Sequence, residues 1–161
     1  MRKQFHQMVK LHQNQVFTLA LYMLYDRAEA EDVTQETFIK LWQRMQKTDE
    51  EVKRAWLLRV ARNACIDRFR KQRPVSHEVP EQADWQGPQF QLEQDQLGTW
   101  LKQAIAGLKE PYRSLIVMRD VQQHSYKEIA HTLEMSHARV KVCIYRARQQ
   151  LRKKLPETGL A

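Results

Sequence analysis

The sequence predicts an all-α protein of two small helical domains joined by a flexible linker, and three observations carry that expectation. Glycine is scarce, with four residues among 161 and none before Gly87, while Leu, Ala, Gln, Glu, Arg and Lys dominate, a composition that favours helices over sheets. Apolar residues recur at helical spacing on both sides of the middle of the chain. Between Arg73 and Gln91 that pattern collapses into PVSHEVPEQADWQGPQ, where Pro74, Pro80, Gly87 and Pro88 argue against a packed element. The expected modules are therefore residues 1–73 and 92–161, with the linker at 74–91.

The first helix is expected over Phe5 to Tyr25. Its second half is apolar all round, as an inner helix would be. The apolar run Val16 to Tyr25 is about half of what a bilayer needs and is interrupted by Thr18, so it reads as a core helix rather than a span. No small-residue cleavage site follows it. The cytoplasm is the expected location, without membrane insertion. The next helix, Ala28 to Met45, opens with Glu29, Glu31, Asp32 and Glu36, acids suited to a helix N-terminal half. It then turns aromatic, with Phe38, Leu41, Trp42 and Met45 at helical spacing and in part core. The third, VKRAWLLRVARNACIDRFRKQR from Val52 to Arg73, is expected to bury Leu57, Val60, Ala61 and Ala64. Arg59, Asn63 and Arg70 gather opposite, flanked by Arg62 and Asp67. An amide can read a base edge, arginines neutralise phosphate, and Trp56 and Phe69 offer flat surfaces for an unstacked base. The plainer alternative is that Trp56 is core and that Asn63 and Asp67 cap or bridge.

The last third, SYKEIAHTLEMSHARVKVCIYRARQQLRKKL, reads as a helix-turn-helix. Ser125 and Glu128 form a capping box, and Ile129, Ala130 and Leu133 make the buried stripe of a short helix. Ser136 caps a longer helix whose apolar residues fall at Val140, Ile144, Ala147 and Leu151. Its other face is cationic, with His137, Arg139, Lys141, Arg146, Arg148, Arg152, Lys153 and Lys154 and no acidic residue from Ser136 to Leu155. That pattern suits a helix lying against phosphates and base edges. A solvated or membrane-surface helix is the rival, but it needs no capped partner helix before it. At the turn, where glycine is usual, stands Glu134; a positive φ there would cost on the order of 1 kcal/mol.

The formal net charge of +8 and pI near 9.7 point to an anionic partner. Cys65 and Cys143 lie far apart in separate helices. They form neither a metal pair nor a disulfide framework and read as buried small hydrophobes. His124, His131 and His137 are too dispersed for a metal site. No cofactor, metal or enzymatic activity is expected, because there is no Gly-rich phosphate loop, no ligand cluster and no nucleophile paired with a base.

Taken in order, these pieces resemble the extracytoplasmic-function (ECF) class of bacterial RNA polymerase sigma factors, which keep only conserved regions two and four. The similarity covers nearly the whole chain. AEAEDVTQETFIKLWQRM looks like the core-polymerase-binding helix of region two, and RAWLLRVARNACIDRFRKQR like its segment for melting and recognising the −10 element. GLKEPYRSLIVMRDVQQHSYKEIAHTL with MSHARVKVCIYRARQQL looks like region four, which reads the −35 element. The resemblance implies that Asp32, Gln35, Glu36, Phe38 and Trp42 dock on the clamp helices of the polymerase's largest subunit. It assigns Arg59, Arg62, Asn63, Asp67 and Arg70 to the −10 region, with the loop between Met45 and Arg54 helping to form a base pocket. Ser136, His137, Arg139, Lys141, Arg146 and Arg148 fall to the −35 element. Where the family usually carries Gly-Thr and Ser-Arg, this chain has Ala138-Arg139 and Val142-Cys143, which puts the promoter sequence in doubt. An anti-sigma factor is a further implied partner. The competing readings are a two-module helix-turn-helix repressor or activator and a sigma-like protein-interaction adaptor.

Overall fold

The structure, a computed structural model, describes residues 1–48, 52–72 and 96–154. The expected linker at 74–91 and the middle of the loop after Met45 lie outside the described residues. Helices α1 (Arg2–Leu24), α2 (Arg27–Lys47) and α3 (Arg54–Gln72) form the first unit, each packed on the other two. The chain turns sharply between α1 and α2. Tyr25 takes the left-handed conformation, φ 53°, and Asp26 caps α2 by accepting from the Glu29 backbone N–H at 3.1 Å. Residues 19 to 25 of the chain are all buried, in line with the inner helix expected from the sequence. The reason is that α1 is covered twice, by α2 and α3 on one side and by the second unit on the other.

The second unit contains α4 (Gln96–Ala106), α5 (Tyr112–Ile116), a π-helical turn over Val117–Val121, α6 (Tyr126–Leu133) and α7 (His137–Lys153). α6 begins at the capping box expected there: the Glu128 backbone N–H donates to Ser125 Oγ at 3.0 Å, and the Ser125 N–H donates to the Glu128 carboxylate at 3.3 Å. Glu134 ends α6 at φ 56°, ψ 46°, the strained position the sequence pointed to. The Ser136 hydroxyl then caps α7 by accepting from the Arg139 N–H at 3.1 Å. Val140, Ile144 and Ala147 are buried and Leu151 is half-buried, so the stripe read from the sequence is the one that seats α7. Cys65 and Cys143 are both buried, and burial pushes the Cys65 thiol far up.

The two units do not stand apart. α3 packs on α6, and α1 packs on α4, α5 and the π turn, so that one apolar cluster runs from Leu19 and Leu57 to Leu115, Ile129 and Ile144. Each fully buried Leu or Ile contributes about 1.5–3 kcal/mol relative to exposure. Local periodicity describes each unit and says nothing of this joint.

Candidate nucleic-acid interface

Three faces carry the residues singled out from the sequence. The first is the outward strip of α2. Asp32, Gln35, Ile39 and Gln43 are at the surface and follow one another at three- and four-residue intervals, hence on one side of the helix. Ile39 is 58% exposed, a large apolar side chain without cover, and it was missed because nothing in the local pattern distinguishes it from its neighbours. Phe38, expected on the docking surface, is in the core at 7% exposure, which corrects that assignment: its direction belongs with Ala30, Val33 and Leu41, facing α1 and α3. Trp42 is half-buried, edge-on to Phe5 with ring centroids 5.1 Å apart. Glu36 is occupied as well. Its carboxylate accepts from Arg68 at 3.1 Å and pairs with Lys40 at 3.3 Å; burial alone would raise its pKa, but these cations hold it below the usual range.

The second face is the channel between α2 and α3. Asn63 and Asp67 are exposed there and line a cavity of about 450 Å³ with Glu36, Lys40, Val60, Ala64, Arg68 and Lys71. Val60 therefore borders the channel instead of the core, a correction to the stripe expected for α3. Arg68 braces the walls, donating to Glu29 at 2.6 Å and Glu36 at 3.1 Å. A second hollow, about 500 Å³, is lined by Lys40, Gln43, Arg44, Lys47, Thr48 and Trp56. The Arg44 guanidinium lies 5.2 Å from the Trp56 ring centroid. Lys40 belongs to both cavities, so a basic track with one aromatic platform runs along the first unit.

Arg59 and Arg62 are not on that track. They face the second unit: Arg59 Nη1 donates to Glu134 Oε1 at 2.7 Å, and Arg62 donates to Ser114 Oγ at 2.8 Å and to Glu110 at 3.4 Å. Phe69 is likewise covered, with the Arg113 guanidinium 4.0 Å from its ring centroid. Arg70 is exposed at the rim of a smaller hollow shared with Ile66, Lys109 and Glu110. The expected opposite face of α3 is thus split. Asn63 and Asp67 share one strip, while Arg59 and Arg62 lie under the second unit.

The third face is the outward side of α7. Ser136, His137, Arg139, Lys141 and Arg146 are exposed, and the His137 ring lies edge-on to Tyr126 at 6.0 Å. Arg148 is committed elsewhere, donating through two nitrogens to Asp120 at 2.6 and 3.2 Å, which corrects its place among free DNA contacts. The sequence reading missed Val142 and Tyr145, which are 47% and 64% exposed on the same helix. Cys143 is buried against the unit and offers no surface to a ligand.

His124 sits where the units meet. It is 4% exposed, and neither ring nitrogen has a hydrogen-bond partner among the described residues, although its backbone carbonyl accepts from Arg119 at 2.9 Å. Burial, with the Arg54 charge nearby, lowers its pKa from 6.5 against the opposite pull of Glu128; His12 shifts the same way for the same leading reasons. A group that stays neutral when folded but protonates when unfolded leaves stability intact above about pH 6.5 and erodes it below. The melting temperature should therefore fall between about pH 7.5 and about pH 5.5, and His124→Gln should flatten that fall. An equal fall in the variant would show that His124 is not responsible.

Among the described residues no helix is long and apolar enough to cross a membrane, and no group of three or more His, Cys, Asp or Glu could hold a metal ion. Residues 8–75 match the family model for Sigma-70 region 2, and residues 99–151 match that for Sigma-70, region 4. The ECF RNA polymerase sigma factor SigW of Bacillus subtilis is 31% identical over 165 residues, covering 94% of this chain and 88% of SigW. SigM of the same organism is 32% identical over 149 residues, covering 89% and 90%. SigE of Mycolicibacterium smegmatis is 32% identical over 152 residues, and there the match spans 91% of this chain but 59% of the relative. Among solved structures, CnrH in complex with the cytosolic domain of CnrY aligns with TM-score 0.73 at 23% identity, over 99% of this chain and 92% of CnrH. The sigma factor RpoE in complex with the anti-sigma factor NepR from Bartonella quintana aligns with TM-score 0.69 at 21% identity, over 94% and 96%. At those identities the two structures speak to the fold.

Proposed function

This chain belongs to the ECF RNA polymerase sigma factors, and on that premise we propose how its faces divide the work of directing transcription initiation. The outward strip of α2, with Asp32, Gln35 and Ile39 and with Trp42 at its edge, docks on the clamp helices of the polymerase's largest subunit. An apolar anchor supplies burial there, and the carboxylate supplies register against a basic coiled coil. The channel between α2 and α3 holds the opened strand of the −10 element. Asn63 reads a base edge, Lys40 and Lys71 meet phosphates, and the Trp56 hollow receives an unstacked base. The outward face of α7 reads the −35 element in duplex form. The chain brings no chemistry of its own and uses the polymerase's active site. It works in the cytoplasm, where core polymerase and promoter are found, and a protein anti-sigma factor is its regulatory partner.

One observation carries this reading. The two family regions fall, in order, on the two helical units, and each unit leaves open a face suited to its role, the α2 strip and channel on one and the acid-free side of α7 on the other. The test is to add the purified protein to sigma-free core polymerase on genomic DNA and sequence the transcript 5′ ends. Discrete starts that share two upstream elements are the expected result, and initiation indistinguishable from core alone would sink the proposal.

Asn63→Ala separates melting from assembly. A lost bidentate base contact costs about 1–3 kcal/mol, so promoter opening, read by permanganate reactivity of unpaired thymines, should drop about tenfold or more. Core binding by the variant should stay unchanged. Failure of the variant to bind core would move Asn63 from the DNA to the docking surface.

A further inference from the structure

Arg54, Arg59 and Arg62 form one row along α3, and every member is met by a carboxylate of the second unit. Arg54 pairs with Glu128, Arg59 with Glu134 at 2.7 Å, and Arg62 with Glu110 at 3.4 Å. The row is further covered by the Ser114 hydroxyl, which accepts from Arg62 at 2.8 Å and reaches Met23 Sδ at 3.8 Å, and by Gln122, which donates to the Gln15 carbonyl at 2.8 Å. Anionic oxygens spaced along a line of guanidinium groups are what a nucleic-acid backbone would present to them. The side chains carrying those oxygens come from α6, its ends and the turn before α5.

Glu134 makes the arrangement more than incidental. It holds a left-handed conformation, φ 56°, in which glycine would be at ease and a side chain is strained. Glycine there would shorten nothing in α6 or α7 and would delete the partner of Arg59. Glu128 serves twice, completing the capping box of α6 and reaching Arg54. The exposed strip of α2 and the outward side of α7 stay open while the arginine row is covered.

We propose that Glu110, Glu128 and Glu134 act as an internal stand-in for the DNA backbone, closing the second unit over the Arg54–Arg59–Arg62 row until polymerase draws the units apart and frees those arginines for the opened promoter strand. The proposal rests on the sigma reading for its timing. In the free chain the row is unavailable to single-stranded DNA; docking through α2 and −35 reading through α7 need no opening, so both can precede it. Because these pairs are partly exposed, added salt weakens them, and the closed form should be most complete at low ionic strength.

The test uses the full chain without polymerase. Glu128→Gln keeps a capping-box side chain, and Glu134→Gly relieves the strained turn, so the double variant removes two carboxylates without removing a helix signal. Its affinity for a fluorescein-labelled single-stranded DNA oligonucleotide of mixed sequence should rise on the order of tenfold at low salt. Its radius of gyration in small-angle scattering should increase, with helix content by circular dichroism unchanged. Unchanged affinity and dimensions would overturn the proposal. An independent check is charge exchange: Glu134→Arg should expand the chain, and adding Arg59→Glu to it should restore the compact form; no recovery would count against the pairing. Promoter-directed initiation by the unaltered chain with core polymerase is scored separately, so that loss of the sigma reading and loss of the closure are told apart.

Discussion

Ile39→Glu is expected to weaken core-polymerase binding by about a hundredfold while leaving the fold intact, and Phe38→Ala, one residue away, is expected to do the reverse. Ile39 is 58% exposed on the α2 strip with Asp32 and Gln35, whereas Phe38 is 7% exposed in the core. A central apolar anchor of an interface typically carries about 2–4 kcal/mol, and a carboxylate put in its place adds a desolvated charge beside Asp32. Truncating a buried Phe leaves a cavity and costs about 3–5 kcal/mol, a large share of the roughly 5–15 kcal/mol that holds a domain folded. Fluorescence anisotropy with labelled chain and core polymerase, beside thermal melts, reads both effects. Tight binding by folded Ile39→Glu would remove the α2 strip from the interface. A melting temperature unchanged in Phe38→Ala would contradict its place in the core.

That pair of neighbours shows where sequence reading works and where it stops. The phase of a helix is legible when polar and apolar residues separate, as they do in α7, where Val140, Ile144 and Ala147 were expected inside and are buried. The capping box at Ser125 and the strained turn at Glu134 were legible too, because both are set by residues a few positions apart. In α2 the aromatic residues fall near the boundary between faces. Phe38 goes inward, Trp42 half inward against Phe5, and an isoleucine with no distinguishing neighbour is left outside. In α3 the difficulty is of another kind. The helix is packed from two directions, by α1 and α2 and by α6, so no single polar face exists for a periodicity argument to find. The partners of Arg54 and Arg59 stand 74 and 75 positions away, and the Asp120 that claims Arg148 stands 28 away. Such pairs are decided by how elements dock, and only the three-dimensional arrangement reveals them.

Tyr145→Ala and Val142→Ala are expected to change which −35 sequence is preferred, whereas Arg146→Ala should weaken binding alike for all sequences. At about 100° per residue, the direction farthest from the buried Val140, Ile144 and Ala147 runs through Ala138, Val142, Tyr145 and Gln149. Arg139 and Arg146 flank this line on one side and Lys141 and Arg152 on the other. A helix seated in the major groove puts its central line over base edges and its flanks over the two phosphate strands. The centre of α7 thus carries no cation to grip guanine O6 and N7; an exposed Val and the Tyr ring meet the groove floor instead, and the natural apolar partner there is the thymine methyl. The flank position of Arg139 makes it a phosphate contact, in place of the guanine reader its sequence context suggested. Each altered base contact should shift discrimination at one position by about 1–3 kcal/mol, measured by competition binding to a randomised −35 library within the polymerase complex. Arg146→Ala should instead lower affinity across the library and reduce the salt-dependence slope by about 0.9. Arg148→Ala should do neither, because its guanidinium is spent on Asp120; its effect should appear as a lower melting temperature. A library profile for Tyr145→Ala identical in shape to that of the unaltered chain would place the reading edge of α7 on its cationic flanks.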